Sequence, residues 1–249
     1  MDILGIDIGG SGIKGAIVNT DNGMLVSERY RLPTPQPSLP NEVTKVIHQI
    51  IEHFNYQGPV GVTFPSIIKK GKCYTANNVH KDWINTQIDD LFEKYCDRKI
   101  FVLNDADAAA EAEMKFGAGV NKDGLVLTIT VGTGIGSGAF FNGELIPNIE
   151  LGTLLGIKGE KVELYIADSA RKREDLSFKK WAKRFDFLLN HIVDVLNPDL
   201  FIIGGGVSKK MERFENLLTV NVPVVVAKNQ NNAGIIGAAI FALDQIEIV

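Results

Sequence analysis

The sequence predicts an α/β protein built from a duplicated lobe, two copies of one strand-and-helix unit with a cleft between them. Three observations carry that expectation. Apolar runs of strand length alternate with helix-period stretches along the whole chain. A glycine-linked strand pair occurs twice, with Gly10-Ser11-Gly12-Ile13 and Gly132-Thr133-Gly134-Ile135 each lying between two apolar strands. A third cluster, Gly204-Gly205-Gly206, closes an apolar run where α/β folds place their ligands. Glycine-turn hairpins are common, so one copy alone is weak evidence, and it is the matching order of the two that points to duplication.

The elements follow in order. Ile3 to Ile8 and Ile13 to Val18 read as strands joined by Gly9-Gly10-Ser11-Gly12, and a third strand is expected from Met24 to Tyr30. Pro33-Thr34-Pro35-Gln36-Pro37 has too few backbone donors for a ladder and reads as a connector. Val43, Val46, Ile47, Ile50, Ile51 and Phe54 have the spacing of one helix face. Val60 to Phe64 and Ile100 to Leu103 are short apolar runs of the kind buried on both sides of a sheet. Ala106 to Met114 is rich in the strongest helix former. Leu125 to Val131 and Ile135 to Phe141 form the second hairpin. A long helix is expected over Phe178 to Leu196, a buried strand over Leu200 to Ile203, and a small-residue helix over Ala233 to Leu243.

Composition narrows the classes. A chain of 249 residues can bury a full core, as one large domain or two modest lobes. With 26 basic and 30 acidic side chains the net charge is −4, so no bulk positive field points to nucleic acid. The opening MDILGIDIGG carries charge inside its apolar run and has no basic leader, and no run approaches the ~20 apolar residues of a bilayer span. Cys73 and Cys96 are isolated, without the spacing of a zinc site, and read as reduced thiols. The expectation is a soluble cytoplasmic protein with no structural zinc, no membrane and no nucleic-acid partner.

The candidate chemistry is that of phosphate. Asp7, Gly9, Gly10, Ser11 and Gly12 form a turn whose backbone N–H groups are unobstructed by side chains, a concave array suited to phosphate oxygens. Ser11 adds a hydroxyl and Lys14 a charge, although Lys14 also fits a solvated surface position. Asp7 is placed to hold a magnesium ion through water. Gly132, Thr133 and Gly134 form the second loop, and Gly204, Gly205 and Gly206 the third. None is a GxxxxGK[ST] loop and none is a GxGxxG opening a helix, so a dinucleotide dehydrogenase is poorly supported.

Asp105 follows a buried strand and opens the alanine-rich helix. A capping role for Asn104 or Asp105 explains the position. A carboxylate at a strand's carboxyl end, facing the ligand, also suits a base that takes a proton from a sugar hydroxyl. Asp107 is expected to face solvent.

Five segments together resemble one family. GIDIGGSGIKGA (Gly5 to Ala16), LNDADAAAEAE (Leu103 to Glu113), VGTGIGSG (Val131 to Gly138), PNIELG (Pro147 to Gly152) and PDLFIIGGGVSKK (Pro198 to Lys210) resemble the polyphosphate glucokinase branch of the ROK sugar kinases, within the actin-like ATPase superfamily. The resemblance implies a duplicated ribonuclease H-like fold of two lobes with a central cleft. The small N-terminal lobe would span 1–112 with a returning helix at 237–249, and the larger C-terminal lobe 113–236. It implies transfer of a phosphoryl group from polyphosphate or ATP, with Mg²⁺, to the 6-hydroxyl of glucose. Asp105 matches the catalytic base, Asn104 and Asn78 match sugar-binding asparagines, and Glu150 matches a sugar-binding glutamate. The basic run Arg171-Lys172-Arg173 matches an arginine-rich segment of the family, and a solvated helix face is the reading preferred for it over a polyphosphate track.

Two departures fall in the expected sugar pocket. The family's ELGH reads Glu150-Leu151-Gly152-Thr153, and its FPG reads Phe64-Pro65-Ser66. Phosphoryl transfer is therefore better supported than glucose as the acceptor. A kinase for another hexose or amino sugar, and a non-catalytic sugar or nucleotide sensor, remain alternatives. With the first strand beginning at residue 2 or 3, a repressor's DNA-binding extension is not expected, and a homodimer is expected from the family.

Overall fold

The computed structural model describes residues 1–156 and 159–247, so the last two positions of the returning helix expected at 237–249 lie outside the described residues. The chain forms two compact units, Met1–Phe116 with Asn232–Val249, and Gly117–Asn231.

The first unit is a five-stranded sheet in the order β3-β2-β1-β4-β7. Its strands are β1 (Asp2–Ile8), β2 (Ile13–Asn19), β3 (Tyr30–Leu32), β4 (Val60–Phe64) and β7 (Ile100–Asn104), with the small hairpin β5 (Ile68–Lys69) and β6 (Lys72–Cys73) standing apart. β1 and β2 pair antiparallel from Asp2↔Asn19 to Ile8↔Ile13, while β4 and β7 continue β1 in parallel. Alternation decides the layers. Leu4, Ile6 and Ile8 pack with helices α1 (Pro40–His53) and α2 (Ile88–Cys96), whereas Ile3, Ala16 and Val18 pack with α3 (Asp105–Phe116) and α8 (Ala233–Glu247).

Small residues set how closely α8 approaches the sheet. A Cβ on Gly61 would lie 1.8 Å from the Ala238 carbonyl oxygen, and one on Gly5 would lie 2.0 Å from that of Ile235. On the helix's other flank, a Cβ on Gly237 would lie 1.8 Å from the Ala108 carbonyl oxygen of α3. These contacts are backbone to backbone, which only glycine permits.

The second unit repeats the plan. Its sheet runs β10-β9-β8-β11-β12, from β8 (Leu125–Val131), β9 (Ile135–Phe141), β10 (Glu144–Ile146), β11 (Leu200–Gly204) and β12 (Val224–Val226). β8 and β9 are the antiparallel hairpin, and β11 and β12 run parallel to β8. Leu127, Ile129 and Val131 bury against Trp181, Phe185, Leu188 and Ile192 of α6 (Phe178–Leu196). The short helices α4 (Glu163–Ile166), α5 (Asp168–Arg173) and α7 (Gly205–Ser208) complete the unit. Two sheets of the same order and sense are the duplicated α/β fold the paired hairpins predicted.

Two expectations are corrected. The third strand lies at Tyr30–Leu32, and Met24 to Arg29 contribute only a bridge between Val18 and Leu25. The reason is local: the Ser27 hydroxyl accepts the Ile17 N–H at 2.9 Å, taking the place of a ladder bond. Asp107 is buried, not solvated, as are Glu111 and Glu113. A helix of small residues packs on more than one face, so polar spacing on α3 does not mark a solvent side.

Candidate active site

The first glycine loop closes the β1–β2 hairpin with the Gly9 N–H donating to the Gly12 carbonyl at 3.1 Å. Three carbonyls of the loop are held from the following segment. Thr34 Oγ1 donates to Gly9 O at 2.5 Å, Gln36 Nε2 to Gly10 O at 3.3 Å, and Arg31 Nη2 to Ser11 O at 2.8 Å. In a trans peptide the N–H points opposite to the C=O. Clamping these carbonyls therefore turns the N–H groups of Gly10, Ser11 and Gly12 the other way, as an anion cradle requires. The connector over Pro33 to Pro37 thus shapes the loop, which its composition did not disclose. A Cβ on Gly12 would lie 2.3 Å from Arg31 Nε, so a side chain there would displace the guanidinium that holds Ser11 O.

Asp7 lies one residue before the strand's end. Its Oδ1 accepts the Thr63 hydroxyl at 2.7 Å and its Oδ2 pairs with Lys14 Nζ at 3.1 Å. Lys14 is thereby tied to the loop and only a quarter exposed. Gly234, at the start of α8, approaches the same carboxylate so closely that a Cβ would lie 2.7 Å from it.

Asn104 ends β7 and Asp105 opens α3. Asn104 Oδ1 accepts the N–H of Ala106 at 2.8 Å and of Asp107 at 3.0 Å, capping the helix. Its Nδ2 donates to the Ser66 carbonyl at 3.0 Å. Asn104 is buried by these bonds, while Asp105, whose Oδ1 accepts the Ala106 N–H at 3.0 Å, is exposed. The cap and the carboxylate are thus neighbours with separate tasks. Asn78 stands exposed in the bend after Thr75, within the same unit.

In the second unit, the Gly132 N–H donates to the Gly134 carbonyl at 3.0 Å across Thr133. Helix α5 begins against this loop: the Ser169 N–H donates to Gly132 O at 3.3 Å and its hydroxyl to Thr133 O at 2.5 Å. The third cluster folds onto the strand leading into the second loop, since Gly205, at φ +76°, would bring a Cβ within 2.5 Å of Val131 O.

Glu150 is bracketed by one side chain. Ser137 Oγ donates to Ile149 O at 2.5 Å and accepts the Leu151 N–H at 2.8 Å, pinning the residues on either side to β9. Burial, and then the charge of Glu163, push the Glu150 carboxyl above its ordinary pKa, with Lys161 opposing. Thr153 turns its hydroxyl back onto Glu150 O at 2.7 Å, so it stabilises the turn.

The basic run is not a uniformly solvated face. Arg171 Nε pairs with Asp168 at 2.6 Å while its guanidinium lies 4.5 Å from the Phe178 ring centre. Lys172 pairs with the same carboxylate at 2.7 Å, and Arg173 Nη2 donates to Leu164 O at 2.7 Å. Asp168 is raised by burial, but its bonds to Lys172 and Arg171 outweigh this and hold it below the ordinary range.

No cluster of three or more His, Cys, Asp or Glu side chains suited to a metal occurs among the described residues. Cys73 and Cys96 are both free and buried. Among the described residues no helix is long and apolar enough to cross a membrane.

Duplicated sheets, each opening with a glycine-turned hairpin, and an aspartate directly after the parallel edge strand β7, define a phosphotransferase-like α/β architecture. The chain belongs to the ROK family, whose model matches residues 3–152. It is 46% identical over 236 residues to the polyphosphate glucokinase of Mycobacterium tuberculosis, covering 94% of this chain and 89% of that one. The structure superimposes with TM-score 0.92 on the inorganic polyphosphate/ATP-glucomannokinase of Arthrobacter sp. strain KM, at 43% identity over 98% of this chain and 99% of that one. A ROK glucokinase from Streptomyces griseus, solved with glucose and AMPPNP, shares the fold at TM-score 0.83 and 22% identity, covering 98% of this chain and 100% of that one.

Proposed function

We propose that this chain is a glucokinase that transfers a phosphoryl group from inorganic polyphosphate or ATP to the 6-hydroxyl of glucose. The observation that carries the reading is Asp105, an exposed carboxylate set at the end of a buried parallel strand by the Asn104 cap. The similarity to polyphosphate-using sugar kinases at 43–46% identity over nearly the whole chain supports the donor and the acceptor class.

Phosphoryl transfer needs an oriented acceptor, a base and neutralised phosphate charge. In this reading Asn78, Asn104 and Glu150 hydrogen-bond the sugar's hydroxyls. Asp105 accepts the proton of the attacking hydroxyl as its oxygen bonds to the terminal phosphorus, and the bond from that phosphorus to the rest of the donor breaks. Gly9 and Gly132 close their loops with their own N–H groups, and the backbone N–H groups of Gly10, Ser11 and Gly12, of Thr133 and Gly134, and of Gly204, Gly205 and Gly206 take the donor's oxygens, with Lys14 adding charge.

Magnesium fits one carboxylate here. Among the described residues no carboxylate cluster forms a cage around Asp7, so it would hold the ion through water, a common arrangement for Mg²⁺. When bound, the ion neutralises phosphate charge. Cytoplasmic residence and a homodimer belong to the same proposal, the latter checked by sedimentation.

The test is sugar phosphate formation from glucose with magnesium and each donor, beside Asp105→Asn. Loss of a base lowers kcat about 10²- to 10⁴-fold. An Asp105→Asn variant as fast as the parent chain defeats the assignment. Glucose binding without turnover by the parent chain would instead favour a sensor.

A further inference from the structure

The element with most unexplained order is the joint at Ser66, where β4 runs out through Pro65. Ser66 is 4% exposed, and its two polar ends reach different parts of the unit. Its carbonyl accepts Asn104 Nδ2 at 3.0 Å, and Asn104 caps the helix that begins with Asp105. Its hydroxyl faces Thr75, two residues before the bend that carries Asn78.

Thr75 is held at every polar atom. Ser66 Oγ donates to Thr75 O at 2.6 Å and accepts the Thr75 N–H at 3.2 Å. Thr75 Oγ1 lies 3.1 Å from Ser66 Oγ and accepts the Ile67 N–H at 3.1 Å. The fully buried Cys73 closes the cluster, its Sγ 3.0 Å from Ser66 Oγ and donating to Thr75 O at 3.1 Å. Burial makes each bond stronger and its loss dearer, because the stranded partner cannot turn to water. Glycine or alanine at 66 would keep the carbonyl and lose every contact to Thr75.

We infer that Ser66 is a positioning residue that locks the Asn78 bend, through its hydroxyl, to the strand end that carries Asn104 and Asp105. The inference rests on the sugar-binding assignment of Asn78 above. It divides the effects of a substitution: removing the hydroxyl loosens the sugar's loop, while the retained carbonyl leaves the base and its helix cap in place. Uniform binding should suffer and chemistry should not.

The test compares Ser66→Ala with the parent chain in full-length protein. Glucose KM is expected to rise about tenfold, with kcat and the KM of each phosphoryl donor within about twofold. Hydrogen exchange read without substrates should show residues 75–79 exchanging at least about tenfold faster and α3 unchanged. Equal changes in donor and glucose KM, a fall in kcat alone, or unchanged exchange at 75–79 would overturn the inference. A parent chain with no turnover defeats the kinase reading, and the exchange measurement still decides whether Ser66 locks the bend. Should Ser66→Ala not fold, Ser66→Gly removes the same hydroxyl and keeps the carbonyl, with glucose KM expected to rise about tenfold and kcat to hold. An unchanged glucose KM in that variant would likewise overturn the inference.

Discussion

Asn104 turns the two ends of one amide to two tasks, capping α3 with its oxygen and holding Ser66 with its nitrogen. Replacing it by alanine strands buried donors at the helix start and is expected to cost about 1–2 kcal/mol, read as a lower urea midpoint. Glu150 carries a pH prediction. Its folded pKa is raised by burial, so its favourable contribution is complete below the unfolded value and is lost as pH rises through the folded one. Glu150→Gln should therefore raise Tm relative to the parent chain at pH about 8, with the gap closing towards pH about 4. A gap that widens at low pH would contradict the burial argument. Burial also pushes Cys96 up to about 11 and raises Cys73, so neither thiol should react with a disulfide reagent at neutral pH until the protein is denatured. At this scale Asp7, Asp105 and the glycine loops were visible as residue types, whereas Arg31, Thr34, Thr63, Ser137 and Ser169 were not. An ordinary Thr or Ser gives no sign of its partner until a strand from elsewhere arrives opposite it.

The helices show what periodicity can and cannot carry. The long α6 was legible to the residue because its apolar stripe packs on one sheet face, with Trp181, Phe185 and Leu188 buried. By contrast α3 is built of alanines and buried carboxylates, and the position of Asp107 could not be read from spacing. The contact of α8 with β1 and β4 is set by Gly5 and Gly61, whose hydrogens stand where side chains would meet carbonyl oxygens. Gly61→Ala is expected to destabilise the protein by about 2–4 kcal/mol, because backbone on both sides must shift. Equilibrium unfolding in urea checks this, and a change under 0.5 kcal/mol, roughly the surface-substitution range, would show that the layers yield.

Over the whole chain, the first unit is assembled from segments far apart in sequence, Met1–Phe116 and Asn232–Val249. Ile235, Ile236, Ala239 and Ile240 of α8 cover Ile3, Ala16 and Val18 together with residues of α3 and Leu25. Truncation after Asn231 should expose this face, and the shortened chain is expected to be recovered unfolded or aggregated, with its first 116 residues digested first in limited proteolysis. A truncated chain that resists protease over that region would refute the packing role given to α8.

The sequence by itself determined the alternation of elements, the duplicated hairpin, the three glycine loops and the aspartate after β7. Each of these is written in local pattern, in the periods of strands and helices and in the turns that only glycine permits. The tertiary structure decided the rest: which side chains clamp the first loop's carbonyls, why Asp107 is buried, and how Ser66 ties Thr75 to Asn104. Those are contacts between residues up to dozens of positions apart, and their partners are chosen by which strand ends the folded sheet sets side by side.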